Sequence, residues 1–389
     1  MTTRRDPANQ PLPLLGGLTP NQFMRDYWQK KPLVVRQAFP NPKPPVRVTD
    51  LKKLSRRDDV ESRLIWRDAD SWQMKHGPFG RLPAAQSPNW TLLVQSVDLH
   101  DDAAADLLYQ FNFVPSARLD DLMISIASEG GGVGPHFDSY DVFLIQAQGR
   151  RRWRFGQQQD LSLVPDLPLK ILSRFTPEQD VVLEPGDMLY LPPNAAHDGV
   201  SLDHDCMTLS VGFKAPTAAM MAQRMLEAAA DSLGLETPAR LKHHFRDPSQ
   251  RAVSESAQLP ERLIQAALKS VRQVALNQSL AVECLGAWLT EPNQMARFES
   301  TEGFIEPGQA GQIKLDRRTR MLFWQRALFI NGEKVPTAAN ALLKQLANSR
   351  SVFLTPTQTS GKSHTQNQTL DTLNDWLDAG WIHWQENTQ

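Results

Sequence analysis

Between residues 90 and 216 the chain breaks into short apolar segments: 90–97, 121–127, 142–148, 150–156, 180–183, 187–191 and 208–213. Each is too short for an ordinary helix and has the length of a strand. Glycine and proline punctuate the gaps, at Gly130-Gly131-Gly132, Gly134-Pro135, Gly149, Pro185-Gly186 and Pro192-Pro193. Short strands separated in this way predict a β-sandwich or barrel. The whole chain, at 389 residues, exceeds one ordinary core, so this region needs companions.

The flanks supply them. Residues 1–17 are Pro-rich and polar and read as a loose arm. Thr19 and Pro20 then have the N-cap and first-turn chemistry of a helix, with Phe23, Tyr27 and Trp28 on its apolar face. Pro32 stops it, and residues 33–35 read as a strand. Beyond Pro216, residues 217–233 have helical spacing up to Gly234. Pro260 opens a second helix striped by Leu263, Ile264, Ala267, Val271 and Val274, and 279–290 is a third. These stripes are too few to make a core alone, and a second copy of the chain is one way to bury them. Residues 322–330, Asn331-Gly332 and Lys334-Val335 predict a hairpin. Two helical patterns follow near 337–347 and 370–379, with a polar, mobile stretch at 355–369 between them.

Composition excludes several classes. Only Cys206 and Cys284 occur, far apart, so neither a disulfide scaffold nor a thiolate zinc site is available. Net charge is −1, which gives no global basic field for nucleic acid. No apolar run reaches the roughly 18 residues of a membrane span. The expected location is cytoplasmic.

Chemistry concentrates in two segments. In the first, His136 and Asp138 are two apart and share one face if extended. In the second, Glu184 to His197, a strand bounded by Gly186 and Pro192 ends on His197. Two histidines and one carboxylate on one face of a metal form the facial triad of non-haem Fe(II) oxygenases. A bare His-x-Asp is common, but here the pairing is specific. Gly186, Pro192, Asn194 and His197 reproduce the second cupin signature, with Asn for the usual glycine in a turn that needs a left-handed residue. Gly130, His136-x-Asp138 and Gly149 match the first. A fourth, acidic ligand would fall at Val142, and its absence favours the three-ligand version.

Strand parity adds a second argument. In 150–155, Arg151, Trp153 and Phe155 share one face, and the aromatic face should be inner. Arg151 is then a guanidinium inside the barrel, where an unpaired charge is costly and an anion is required. A small dicarboxylate beside the metal would meet it. In 121–125, Asp121, Met123 and Ser125 face inward if Leu122 and Ile124 face outward. Ser125 is then placed to bond a cosubstrate carboxylate and Asp121 to meet a cation.

The blocks 90–95, 121–125, 136–138, 149–154 and 184–197 together resemble the bacterial JmjC-type ribosomal oxygenases, the arginine hydroxylases of large-subunit ribosomal protein sixteen. The resemblance implies a mainly β fold with helices: a double-stranded β-helix (cupin/JmjC) barrel over 1–216, a helical dimerisation region over 217–300, and a winged-helix-like domain over 301–389. It implies Fe(II) on His136, Asp138 and His197, and 2-oxoglutarate on Arg151, with dioxygen as cosubstrate. Ser125 and Ser210 join the cosubstrate pocket. Asp121, Met123 and Tyr140 fall where the family surrounds its target arginine, whose β-carbon is hydroxylated. It also implies a homodimer.

Three other readings stand beside it. One is a JmjC histidyl hydroxylase or lysine demethylase. Another is a non-catalytic metal-binding cupin. The third is a nucleic-acid binder using Arg317, Arg318, Arg320 and Arg326, which read better as a solvated face, so direct nucleic-acid binding is not expected. His204, His243 and His244 read as surface residues, His383 as packing and Cys206 as a buried structural thiol.

Overall fold

The computed structural model describes residues 6–68, 71–84, 86–235, 237–300 and 303–386. It divides into two compact units: Met1–Ala215 with Asn293–Glu299 and Asp316–Arg318, and the remainder of the chain.

In the first unit the helices are α1 (Pro20–Asp26), α2 (Val48–Leu54) and α3 (Asp102–Leu108). The strands are β1 (Leu33–Val35), β2 (Ser62–Asp68), β3 (Ser71–His76), β4 (Trp90–Val94), β5 (Leu119–Ala127), β6 (Val142–Gln148), β7 (Arg151–Gly156), β8 (Gln179–Leu183), β9 (Met188–Leu191), β10 (Ala196–Ser201) and β11 (Cys206–Phe213). A large antiparallel sheet runs β1-β9-β6-β11-β5-β4-β2-β3, and a smaller one runs β10-β7-β8. Together they form the double-stranded β-helix that the resemblance implied.

Alternation on the large sheet separates two cores. On β6, Phe143, Ile145 and Ala147 enter the main apolar cluster, and Val142 and Leu144 enter the cluster shared with β7 and β9. The main cluster also takes Phe23 of α1, Leu51 of α2, and Ala104 and Leu108 of α3. Phe143 is its centre. Its ring lies 4.8 Å from Phe111, 4.9 Å from Tyr190, 5.5 Å from Phe23 and 5.8 Å from Phe213, centroid to centroid. Thr19 and Gln22 close a reciprocal capping box on α1, which fixes the angle at which Phe23 enters.

In this unit three features differ from the sequence reading. The hairpin β2–β3 occupies a region without a predicted strand. β10 was hidden because Ala-His-Asp-Gly-Val-Ser has little strand propensity, and only pairing with β7 makes it one. Residues 6–17 are not a loose arm: two 3-10 turns, Pro7–Asn9 and Pro13–Leu15, bring Leu15 fully into the main core. The part of that expectation covering 1–5 lies outside the described residues.

The second unit contains α4 (Ala218–Leu235), α5 (Glu261–Arg272) and α6 (Gln278–Thr290), then β12 (Gly311–Leu315), β13 (Met321–Trp324), β14 (Ala327–Ile330), β15 (Glu333–Val335), α7 (Ala341–Ser349), β16 (Ser351–Leu354), α8 (His364–Asp378) and β17 (Ile382–Glu386). Its sheets are β16-β12-β17 and β13-β14-β15. α4 runs through Gly234 instead of stopping there. The Asn331-Gly332 turn has both residues left-handed, at φ 48° and 91°, as a type I′ hairpin requires. Residues 322–330 are two strands, because Gln325 at φ 52° turns the chain between them. The stretch 355–369 is ordered by a Ser363–Gln366 capping box that starts α8.

Replacing Phe143 with Ala should cost about 3–5 kcal/mol, the range for emptying a buried aromatic site. Urea unfolding of the purified protein measures it; a loss below 1 kcal/mol would show that this ring is not the keystone of the core.

Candidate metal centre and pocket

The backbone around His136 is held by the strand that carries His197. The His136 N–H donates to the His197 carbonyl at 2.9 Å, and the His197 N–H returns the bond at 2.8 Å. Asn194, left-handed at φ 64°, turns the chain into β10 and donates its N–H to the Asp138 carbonyl at 2.7 Å. The two backbone segments 136–138 and 194–197 are thereby fixed to one another.

Ligand atoms of His136, Asp138 and His197 all lie within 4.8 Å of one another. No other such cluster of three or more His, Cys, Asp or Glu occurs among the described residues. His136 Nδ1 is 2.8 Å from the Gly134 carbonyl, and His197 Nδ1 is 2.9 Å from the Ala195 carbonyl. A carbonyl only accepts, so each Nδ1 carries a proton, which leaves Nε2 as the nitrogen each ring can offer to a metal. Burial, with the neighbouring His136 ring, pushes His197 down to about 4. Its ring is therefore neutral, and the 3.8 Å approach of its Nε2 to Asp138 Oδ2 is two donors of electron pairs facing one space. Two imidazole nitrogens and a carboxylate suit a divalent cation such as iron(II).

Arg150, just before β7, and Arg151, Arg152 and Arg154 on it divide by parity. Arg150 pairs with Asp203 at 2.9 Å, Arg152 with Asp180 at 2.5 Å and Arg154 with Asp198 at 2.5 Å. Arg151 points the other way and is only 3% exposed. Its Nη1 makes one long bond, 3.4 Å, to the Gly199 carbonyl, while Nε and Nη2 are buried with no partner. Trp153 Nε1 is also buried and unpartnered. A buried unsatisfied donor costs about 1–3 kcal/mol, more when charged. Among these arginines, only Arg151 lacks a protein carboxylate, so the site fits an anion brought from outside.

Register places that anion. Across β7 and β10, Phe155 is opposite His197, Trp153 opposite Gly199, and Arg151 opposite Ser201. The triad and Arg151 thus stand at two ends of one strand pair, with Trp153 between. Gly199 is required there: a Cβ would lie 2.6 Å from the Trp153 ring. A short dianion lying over Trp153 would reach the cation with one end and the guanidinium with the other.

One cavity of about 570 Å³ is lined by all nine predicted residues: His136, Asp138, His197, Arg151, Ser125, Ser210, Asp121, Met123 and Tyr140. Val142, where a fourth acidic ligand was absent, lines it too. Burial, then neighbouring Asp120, pushes the Asp121 carboxyl up, against the hydrogen bonds that pull it down. Burial and Asp138 likewise raise the Tyr140 phenol. An acidic patch in a partly dry pocket favours a cationic guest. Sequence reasoning missed Arg63, Thr91, Gln95 and Thr208, which share the lining. Parity along 90–97 could have found Thr91 and Gln95, since they alternate with buried Leu92 and Val94. Arg63 had no signal, because its strand was not expected.

Comparison with known proteins agrees with this geometry. Residues 106–221 match the JmjC domain family and residues 280–383 the ROXA-like winged helix family. The "Ribosomal protein uL16 3-hydroxylase" of Escherichia coli (strain K12) is 42% identical over 50% of this chain and 52% of its own length, so the chain aligns with about half of that relative. A "Probable ribosomal oxygenase" of Haemophilus influenzae is 28% identical over 94% of this chain and 96% of its own. Among solved structures, E. coli YcfD "in complex with Cobalt and 2-oxoglutarate" superposes with a TM-score of 0.77 at 28% identity, over 95% of this chain and 98% of the other.

Titration with Co(II), followed by visible absorption, should show one site in the wild-type protein. Asp138→Ala and His197→Ala should each weaken it beyond the ~10–100-fold typical of losing a group that only supports a ligand. Binding unchanged in both variants would exclude this cluster as the metal centre.

Proposed function

We propose that this chain, which belongs to the bacterial JmjC-type ribosomal oxygenases, is an iron(II)- and 2-oxoglutarate-dependent dioxygenase that hydroxylates the β-carbon of an arginine in a large-subunit ribosomal protein. The observation that carries it is Arg151, a buried guanidinium without a counterion at the far end of the strand pair that bears His197.

His136, Asp138 and His197 hold the metal. Bound iron(II) supplies the activation of dioxygen, by which 2-oxoglutarate is decarboxylated to succinate and CO2, with one oxygen atom passing to succinate and the other to the substrate C–H bond. Arg151 receives the distal carboxylate and sets the direction in which the dicarboxylate lies, with Ser125 and Ser210 as further polar contacts. Trp153 and Leu144, which line the cavity, wall the cosubstrate from bulk water. Asp121 and Tyr140 hold the target guanidinium while Met123 packs its stem, so that a carbon and not a nitrogen faces the metal. Positioning of this kind is the protein's share of the catalysis.

The helical region 217–300 serves in this reading as the dimerisation segment, between a catalytic domain over 1–216 and a winged helix over 301–389. Exposed Met220 and Leu226 on α4, and Leu263, Ile264 and Leu268 on α5, support a homodimer. A cytoplasmic site of action accords with a ribosomal substrate and two free cysteines. No helix among the described residues is long and apolar enough to cross a membrane.

Purified protein with Fe(II), 2-oxoglutarate and a recombinant bacterial uL16 should add the mass of one oxygen to a single arginine-containing peptide, with succinate in equal amount. Fragmentation spectra locate the atom. Oxygen on histidine, loss of a methyl group from lysine, or no mass change would each replace this assignment.

A further inference from the structure

Asp121 is held in an unusual way. Its Oδ2 accepts three hydrogen bonds, from Gln95 Nε2 at 2.7 Å, the Ser96 N–H at 2.8 Å and Ser96 Oγ at 3.1 Å. Its Oδ1 accepts none of the described donors and faces the space over Gly212, where a Cβ would come within 3.4 Å of it. Each donor is itself oriented. Arg63 Nη2 donates to Gln95 Oε1 at 3.0 Å, which leaves the amide NH2 to turn toward Asp121. Asn293 Nδ2 donates to Ser96 Oγ at 3.3 Å, so the hydroxyl proton is free for Oδ2. Ser96 is left-handed at φ 50°, a conformation a non-glycine residue holds only when its surroundings enforce it.

We infer that Arg63 and Gln95 are positioning residues for substrate recognition. Through Gln95, with Ser96, they saturate one Asp121 oxygen and present the other to the guest. This rests on the reading of the pocket as an arginine site. The consequence is specific. With Oδ2 consumed, Asp121 cannot grip a guanidinium by the two-pronged fork; it offers a single-point contact whose direction is set by the Gln95 amide. A rotated carboxylate would still attract a cation but would no longer aim the side chain at the metal. Arg63 therefore does not compete with the guest despite its own charge, because its role is to fix the amide.

The test compares Gln95→Met, Arg63→Met and Arg63→Lys with the wild-type protein, using uL16 as substrate. Co(II) binding confirms that each variant is folded. Gln95→Met and Arg63→Met should raise the KM for uL16 by about 10-fold. They should also lower the ratio of hydroxyarginine to succinate, because a loosely aimed substrate lets turnover run uncoupled. Arg63→Lys, which keeps a donor for Gln95 Oε1, should recover most of both. Wild-type KM and coupling in Gln95→Met, or equal defects in the two Arg63 variants, would overturn the relay. Failure of the wild-type protein to hydroxylate any arginine would instead remove the reading beneath it.

Discussion

Everything in the pocket is organised around a guanidinium that the protein buries and does not neutralise. Arg150, Arg152 and Arg154 each find an aspartate within 2.9 Å, whereas Arg151 finds one long carbonyl contact. Removing a charge from water costs several kcal/mol, and leaving it unpaired is among the least favourable arrangements a core can contain. The fold tolerates it because the rest of β7 is well paired and the cation has a cavity in front of it. A dicarboxylate offsets the cost on binding, which makes occupancy of that cavity a contribution to stability as well as to turnover.

The scaffold's part is to keep the two ends of the pocket in register. β7 and β10 fix Arg151 and His197 four residues apart on one ladder, and neither strand has freedom to slip, since a one-residue shift would send every inward side chain outward. Behind them the large sheet is braced by a cluster of aromatic rings centred on Phe143. β5 supplies the acidic side chain of the cavity, with Asp121 anchored to the Ser96 turn just beyond β4. Strands fixed in register suit the proposed task of aiming a carbon atom.

Much of this was legible in the residues. The Gly/Pro punctuation announced short strands, and the parity of 150–155 and 121–125 named the inward side chains that line the cavity. Asn194 stood for the left-handed turn it adopts. The parts that were not legible share a cause: they are made by tertiary pairing. β10 has the composition of a loop and becomes a strand only against β7. Arg63 lies on a hairpin without a clear alternation, and its link to Asp121 passes through Gln95 across two strand pairs. Leu15 is buried because the Pro-rich start folds back onto the core. The helices α4 and α5 remain apolar and exposed, as their narrow stripes suggested.

The most direct test of the Arg151 anchor is a comparison of two ligands on the cobalt-loaded protein by calorimetry: 2-oxoglutarate and 2-oxopentanoate, which lacks the distal carboxylate. If Arg151 receives that carboxylate, the wild-type protein should prefer 2-oxoglutarate by about 10–100-fold, and Arg151→Met should bind both with similar, weak affinity. Equal affinities in the wild-type protein, or a preference that survives in Arg151→Met, would contradict it.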